Sequence, residues 1–392
     1  MSVVAPTKGK VAGVAGSVPF IHAAHEHVEA VRIAAFNGLI TAATQFVNLN
    51  IPSFGFLRNL VVVVTTSGGA AGTGTVAADH PYNLFSEVTL LDTNGAPIYG
   101  PLDGYSAFLS NKYGGYAYNC DPAAQPDAAV AATNIVNFAW SFRIPVEVNA
   151  NSGFGALGNM NSAASYKLRL GINPLASFYA SVGTLTSPTV NIDVYMECWT
   201  PPDLYDAFGR PQETEPPSHG TSQSWTKQTF TLTAGANQIL LTRMGNLIRN
   251  AIFVVRAATG IRAANLAAMP ASPLTLQWDS RQMFVEDIRI RRMYMAERYQ
   301  QVAGATGVES GVLPYSYMHD VLQHGGDGGV ALFIPTVQAT RFELDVVGAT
   351  AGSVDVLVND VLPVEADPRR RYIETSTTGF HPEIGTQNPR LA

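Results

Sequence analysis

The chain has 392 residues, beyond the size at which a single hydrophobic core usually stops growing, so two domains are expected. Charged residues make up 14% of it, against roughly 25% in ordinary soluble domains, hydrophobic residues reach 46%, and the formal net charge is -6. This excludes a global basic footprint for gripping nucleic acid, and no apolar run approaches the ~20 residues of a membrane helix, the longest tight one being Leu60–Val64. Such low charge implies folded surface shared with other protein, unless Ser, Thr, Asn and Gly supply the missing polarity.

Residues 1–19 are small, Pro/Gly-rich and read as an extended arm that needs a partner to be ordered. From Phe20 onward Ile21, Ala24, Val28, Val31, Ala35 and Leu39 recur at three- and four-residue steps, which predicts an amphipathic helix ended by Asn37-Gly38. Arm and helix together occupy 1–45. After about Phe46 the period changes to two: Tyr166, Leu168 and Leu170 alternate with Lys167 and Arg169, and Val190, Ile192, Val194 and Met196 alternate with Asn191, Asp193, Tyr195 and Glu197. These are half-buried antiparallel strands, and 46–202 reads as one β-sandwich. Asp92-Thr93-Asn94-Gly95 marks a turn, Gly68–Gly74 a flexible loop, and Tyr105–Lys112 a helix.

A Pro-rich linker follows over 203–227, then a second sandwich over 228–365 with a helix at Met293–Gln301, and a C-terminal arm over 366–392 that contains Arg369-Arg370-Arg371. The two sandwiches echo each other in order. Gly55–Val64 answers Gly245–Val255; Phe85–Leu90 answers Val285–Ile290; Phe142–Pro145 answers Leu332–Pro335; Tyr166–Leu170 answers Phe342–Val346; and Val190–Val194 answers Val354–Val358. Five blocks in one order imply duplicated architecture: two copies of one all-β domain, each of about eight short strands.

In this duplicated order, in Phe142-Arg143-Ile144-Pro145, and in Leu168-Arg169-Leu170 followed by Asn173-Pro174-Leu175 and Tyr179, the chain resembles the double jelly-roll major capsid proteins of tailless icosahedral double-stranded DNA viruses, especially the tectivirus-like ones. The resemblance implies two tandem eight-stranded jelly rolls. It further implies a homotrimer whose six similar wedges form a pseudo-hexameric capsomer in contact with neighbouring capsomers and with minor vertex or spike proteins. It places the chain in a virion capsid assembled in the host cytoplasm, with the N-terminal helix facing an internal viral membrane. A tandem duplication supplies what a flat hexagonal array needs, since it turns a three-fold oligomer into one with a six-fold outline.

No residue set points to chemistry. His25-Glu26-His27 on a helix would put the two imidazoles on different faces, whereas paired metal ligands stand four residues apart. Cys198 lies in an alternating strand and reads as a buried thiol, while Cys120 sits beside Asp121-Pro122 with no basic neighbour to activate it. With only these two cysteines and no secretory signal pattern, intracellular synthesis with free thiols is expected. Glu286-Asp287 and Asp206 are the carboxylates a glycosidase reading would use, but Glu87 stands opposite Asp287 in the repeat, which suits a structural role. Arg289, Arg291, Arg292 and Arg298 follow the second-copy strand, where alternation aims Arg289 and Arg291 away from Ile288 and Ile290 for salt bridging to a neighbour. Gly325–Gly329 lacks a phosphate-loop lysine and reads as a hairpin tip. No catalytic residue, metal, cofactor or specific nucleic-acid contact is therefore expected. The competing functional class is a carbohydrate-binding tandem sandwich, in which Trp140, Trp199, Trp225 and Trp278 would supply stacking faces.

Overall fold

The computed structural model describes residues 17–116, 122, 125, 127–128, 135–217, 223–242, 245–262, 271–279, 281–299, 310–316, 334–336, 341–348 and 350–361. The N-terminal arm before Ser17, Cys120, the Gly325–Gly329 tip and the arm from 366 onward lie outside these residues.

Alternation produces strands because successive Cβ atoms point to opposite faces. Along Thr189–Trp199, Val190, Ile192, Val194, Met196 and Cys198 are buried, while Asn191, Asp193 and Tyr195 are half-exposed. The first set of eight strands is β1 Glu26–Leu39, β2 Gln45–Asn50, β3 Phe56–Ser67 and β4 Phe85–Leu91, then β5 Pro97–Leu102, β6 Ala139–Pro145, β7 Lys167–Ile172 and β8 Thr189–Trp199. They form two sheets, ordered β1-β8-β3-β6 and β2-β7-β4-β5. The second set is β9 Gln223–Leu232, β10 Gly235–Leu240, β11 Leu247–Ala257 and β12 Ala271–Trp278, then β13 Arg281–Glu286, β14 Val312–Ser316, β15 Phe342–Gly348 and β16 Gly352–Val361. Its sheets run β9-β16-β11-β14 and β10-β15-β12-β13, the same order with every strand advanced by eight, and a parallel bridge from Trp225 of β9 to Tyr99 of β5 joins the first of them edge to edge with β2-β7-β4-β5. Two four-stranded sheets joined in this crossing order are a jelly roll, and the chain contains two.

The largest correction falls at the start of the chain. Only Phe20–Ala23 is helical, and the stretch expected to continue the helix is strand β1, inside the segment assigned to the arm. Without it, β8 would present an open edge of unpaired amides and carbonyls. β1 closes that edge antiparallel from Glu26 opposite Trp199 to Leu39 opposite Thr189, with a register irregularity between Val31 and Phe36. Tertiary pairing thus overrides a local helical spacing that β-branched Val28, Val31 and Ile33 never strongly favoured. The inward-facing membrane helix loses its basis with it. Likewise β9 begins at Gln223, within the stretch read as linker.

The repeat also aligns differently in three places. Val285-Glu286 ends β13, the fifth strand of its roll, and Ile288 opens a helix, so the counterpart of β4 is β12. Ile334-Pro335 pairs with Ile248 and Leu247, as Leu157-Gly158 pairs with Leu57 and Phe56. The counterpart of β6 is instead β14, because Asn59 faces Pro145 and Asn250 faces Ser316. In the last block Val354 corresponds to Ile192, two residues along, which keeps the same face buried.

Each roll carries one long helix after its fifth strand, α1 Gly104–Tyr113 and α2 Ile288–Tyr299. Asp103 caps α1 by accepting from the Ser106 amide at 2.8 Å. Gly104 lies so close to the preceding 3-10 turn that a Cβ there would stand 2.0 Å from the Tyr82 carbonyl oxygen. The loop expected to be flexible is tied down. Ala70 bridges to Thr186, Thr73 and Thr184 exchange hydrogen bonds at 3.0 and 3.1 Å, and Gly72, at φ +52°, leaves no space for a side chain against Thr184.

Candidate functional site: the seam between the rolls

The alternation of the second roll's outer sheet is divided between two cores. Ala251, Phe253 and Val255 of β11 point into their own roll, whereas Ile252 and Val254, together with Trp225, Leu357 and Val312, join the hydrophobic cluster of the first roll. The sheet β9-β16-β11-β14 is therefore covered on both faces. Its partner is α1, where every residue but Lys112 is buried and Tyr105, Phe108, Leu109 and Tyr113 enter the same cluster. A helix buried on nearly all sides belongs between two layers, and α1 lies between the rolls.

Hydrogen bonds cross the seam. The Trp225 indole N–H donates to the Tyr116 hydroxyl, which donates to Gln223 Oε1 at 2.9 Å. Gln223 Nε2 donates to the Val146 and Glu147 carbonyls at 2.8 and 3.1 Å, and Asn359 Nδ2 donates to Gln223 Oε1 at 3.0 Å. Burial raises the Tyr116 hydroxyl pKa above its usual value, with the Arg249 guanidinium acting in the opposite direction.

At the rim, Lys227 Nζ lies 2.5 Å from Asp103 and 3.4 Å from Asp355, and Arg256 lies 2.9 Å from Asp79 and 2.8 Å from Asp355. Arg262 reaches Asp79 at 2.7 Å and the Tyr105 hydroxyl at 3.1 Å. Burial pushes the Asp103 carboxyl up, but Lys227 and the Ser106 hydrogen bonds outweigh it and hold Asp103 below the usual value. Burial lowers the Lys227 ammonium, yet Asp103 and Asp355 raise it overall.

The repeated Arg-Asn pair marks where the two copies diverge. In the first roll Arg58 lies over the Trp199 ring at 3.9 Å and pairs with Glu147 at 2.8 Å and Glu26 at 2.7 Å, while Asn59 donates to Glu197 at 3.1 Å. Burial raises the Glu147 carboxyl, with Arg58 and the Trp199 indole offsetting part of the effect. In the second roll Arg249 lies over Tyr116 at 4.1 Å and donates to Gly115 O at 3.0 Å, and Asn250 donates to Gly114 O at 2.7 Å. One dipeptide thus braces the first roll and, in the second, grips its neighbour. Its recurrence was visible in the sequence; its use in the seam was not.

The residues weighed for chemistry are dispersed. His25 precedes β1 and His27 lies in it against Phe54, and among the described residues no group of three or more His, Cys, Asp or Glu is placed to hold a metal. Cys198 is buried. Asp206 is paired with Arg210 at 2.6 Å and Asp287 with Arg289 at 2.7 Å, each in its own local turn. Trp140, Trp199 and Trp225 are buried, so none offers a sugar-stacking face. The arginines expected on a strand sit on α2, where Arg289 is exposed and Arg291 is buried over the Tyr315 ring at 3.8 Å. Among the described residues no helix is long and apolar enough to cross a membrane.

Neither a protein-family model nor a curated protein matches the chain. Solved structures do. A chain in the atomic structure of Sulfolobus Turreted Icosahedral Virus is similar over 90% of this chain and 97% of its own, with a TM-score of 0.61 and 13% identity. The crystal structure of the STIV MCP is similar over 87% and 98%, with a TM-score of 0.58 and 15% identity. Major capsid protein P2 from bacteriophage PM2 is similar over 86% and 98%, with a TM-score of 0.50 and 11% identity. Over nearly its whole length, then, the chain has the double jelly-roll fold of these viral proteins.

Proposed function

We propose that this chain is the major capsid protein of an icosahedral virion and acts by assembling with copies of itself into trimeric, pseudo-hexameric capsomers. The observation that carries this is the doubly covered sheet β9-β16-β11-β14, which joins the two rolls of one chain through a shared core rather than a tether. Two like wedges held rigidly side by side are the repeating unit that a three-fold oligomer needs for a six-fold outline. The fold shared with coat proteins supports the same reading. Its place is the virion shell, built in the host cytoplasm, with neighbouring capsomers and minor vertex proteins as partners. The chain divides functionally into the first roll, a Pro-rich connection through 203–222, the second roll, and a C-terminal arm over 366–392 that ties subunits together. Sedimentation velocity of the purified full-length chain tests this: a species of about 125 kDa, three times 41.8 kDa, is expected. A 41.8 kDa species at every concentration would overturn it.

A further inference from the structure

The seam within the chain has an unfilled counterpart at each of its ends. On the helix side, α2 follows the fifth strand of its roll as α1 follows the fifth strand of the first, and Asp287 accepts from the Arg289 amide at 2.8 Å at its start, as Asp103 does at the start of α1. Yet α1 is covered on all sides, whereas α2 leaves Ile290 46% and Met293 50% exposed. On the sheet side, β1-β8-β3-β6 is the counterpart of β9-β16-β11-β14, but among the described residues its outer face stays partly exposed. Leu60, Val62 and Val64 of β3 are fully buried, while the alternate Val61 and Val63 are partly exposed.

Register makes the correspondence residue by residue. With Asn59 matched to Asn250, Val61 takes the place of Ile252 and Val63 that of Val254, the two residues that enter the neighbouring roll's core. Tyr195 opposite Val61 matches Leu357 opposite Ile252, and Val28 opposite Glu197 matches Trp225 opposite Asn359. Trp225 is 0% exposed and Val28 is 57% exposed. The position is the same, and the difference is whether a roll sits on it.

We propose that the α2 face carrying Ile290 and Met293 packs on the outer face of the β1-β8-β3-β6 sheet of a second copy of this chain, around Val28, Val61, Val63 and Tyr195. The contact repeats between chains the seam made within one, and it deepens the coat-protein reading on which it rests. It is head-to-tail, so three chains alternate inner and outer seams and close a ring of six rolls.

Charge selects this partner over the wrong one. Within the chain, Asp79 and Asp103 on the helix side meet Arg256 and Lys227 on the sheet side. Thr65 and Ala30 hold the positions of Arg256 and Lys227 in the first roll, so the two cations that meet the helix side have no counterpart there; Glu26 is paired with Arg58 and Glu197 with Arg143, and Asp193 stands in the place of Asp355. α2 carries Arg292, and Arg289 paired with Asp287. Arginines on α2 therefore fit the first-roll sheet of another copy and oppose the Lys227 and Arg256 of a second-roll sheet, where like charges would meet.

The test uses the full-length chain. Met293→Asp and Val61→Asp, made separately, are expected to abolish the trimer in size-exclusion chromatography with light scattering while leaving the far-UV circular dichroism spectrum unchanged. Val347→Asp, at an apolar residue 42% exposed on a different sheet, is expected to keep the trimer. A second measurement does not depend on disruption. The Asp103–Lys227 pair corresponds to Asp287 of one chain and Ala30 of the next, and because a Lys–Asp pair holds its backbones farther apart than a disulfide reaches, an Asp287→Cys/Ala30→Cys double variant should give interchain dimers and trimers on a denaturing gel after treatment with a short bismaleimide. A trimeric wild type whose Asp variants stay trimeric, or whose cysteine pair gives no interchain band, overturns this contact and leaves the coat-protein reading standing. A wild type that never leaves the monomer overturns both.

Discussion

Replacing Trp225 by alanine removes the largest second-roll side chain from the seam. A buried tryptophan withdraws roughly 150–250 Å² from water, which at about 25 cal/mol per Å² amounts to about 4–6 kcal/mol as an upper estimate. Large-to-small substitution in cores measures about 3–5 kcal/mol for Trp→Ala, and that range is expected here. The Tyr116 hydroxyl loses the indole donor but keeps Gln223, so no further penalty for an orphaned group is added. Urea unfolding followed by far-UV circular dichroism at fixed protein concentration should give a single transition, shifted by this amount. Val28→Ala, at the matching exposed position, should change the monomer's stability by no more than about 0.5 kcal/mol. In a double-mutant cycle with Tyr116→Ala the two losses should fall short of additive by about 1 kcal/mol or more. A loss below about 1 kcal/mol, additive losses, or two well-separated transitions would refute the claim that the rolls share one core.

His80 lies among Phe138, Phe178 and Tyr179, and burial lowers its pKa from 6.5 to about 4, with a backbone hydrogen bond to Ile135 opposing. The unfolded chain then binds a proton that the fold refuses, so stability should fall as pH drops from 6.5 toward 4, by roughly 3 kcal/mol in all. His80→Phe should flatten that slope in a pH series of melts, and an unchanged slope would count against the assignment. Asp103 titrates below its ordinary 3.8, so its contribution is present above that value and lost as pH falls beneath it; Asp103→Asn should remove this low-pH component and leave the one above pH 4. Gly104→Ala must displace the Tyr82 carbonyl or α1, and should lower stability by about 1–3 kcal/mol in the same urea assay, a neutral result contradicting the close approach. Cys198 should resist thiol reagents until the chain unfolds, which a timed labelling experiment reads directly.

The duplication was legible because strands β3 and β11 carry the same run, Arg-Asn followed by consecutive apolar residues, which is long enough to stand out of a strand's limited vocabulary. Shorter blocks misled. Phe-Arg-Ile-Pro and Phe-Ile-Pro look alike but occupy different strands, because two edge-pairing segments next to one long strand select similar residues. β1 was illegible for a related reason: Ile21, Ala24, Val28 and Val31 fit a helical stripe, and only the open edge of β8, more than 150 residues away in sequence, decides for a strand. The seam could not be read locally at all. Trp225 lies in what reads as a Pro-rich linker, and Tyr116 just past the helix expected at Tyr105–Lys112, so neither position shows periodicity. Their partnership spans 109 residues and exists only once both rolls are folded. Metal and nucleophile sites leave local spacing signatures in a sequence, whereas contacts between copies of a coat protein leave none.

The central claim is that two rolls in one chain become six in an assembly. Electron microscopy of the purified capsomer, averaged without imposed symmetry, tests it most directly. The account predicts three-fold particles with six lobes of nearly equal size, the seam within each chain repeated between chains. Particles with two lobes, or a three-fold particle whose two-roll subunits splay apart with no contact between α2 and the neighbouring first roll, would contradict it.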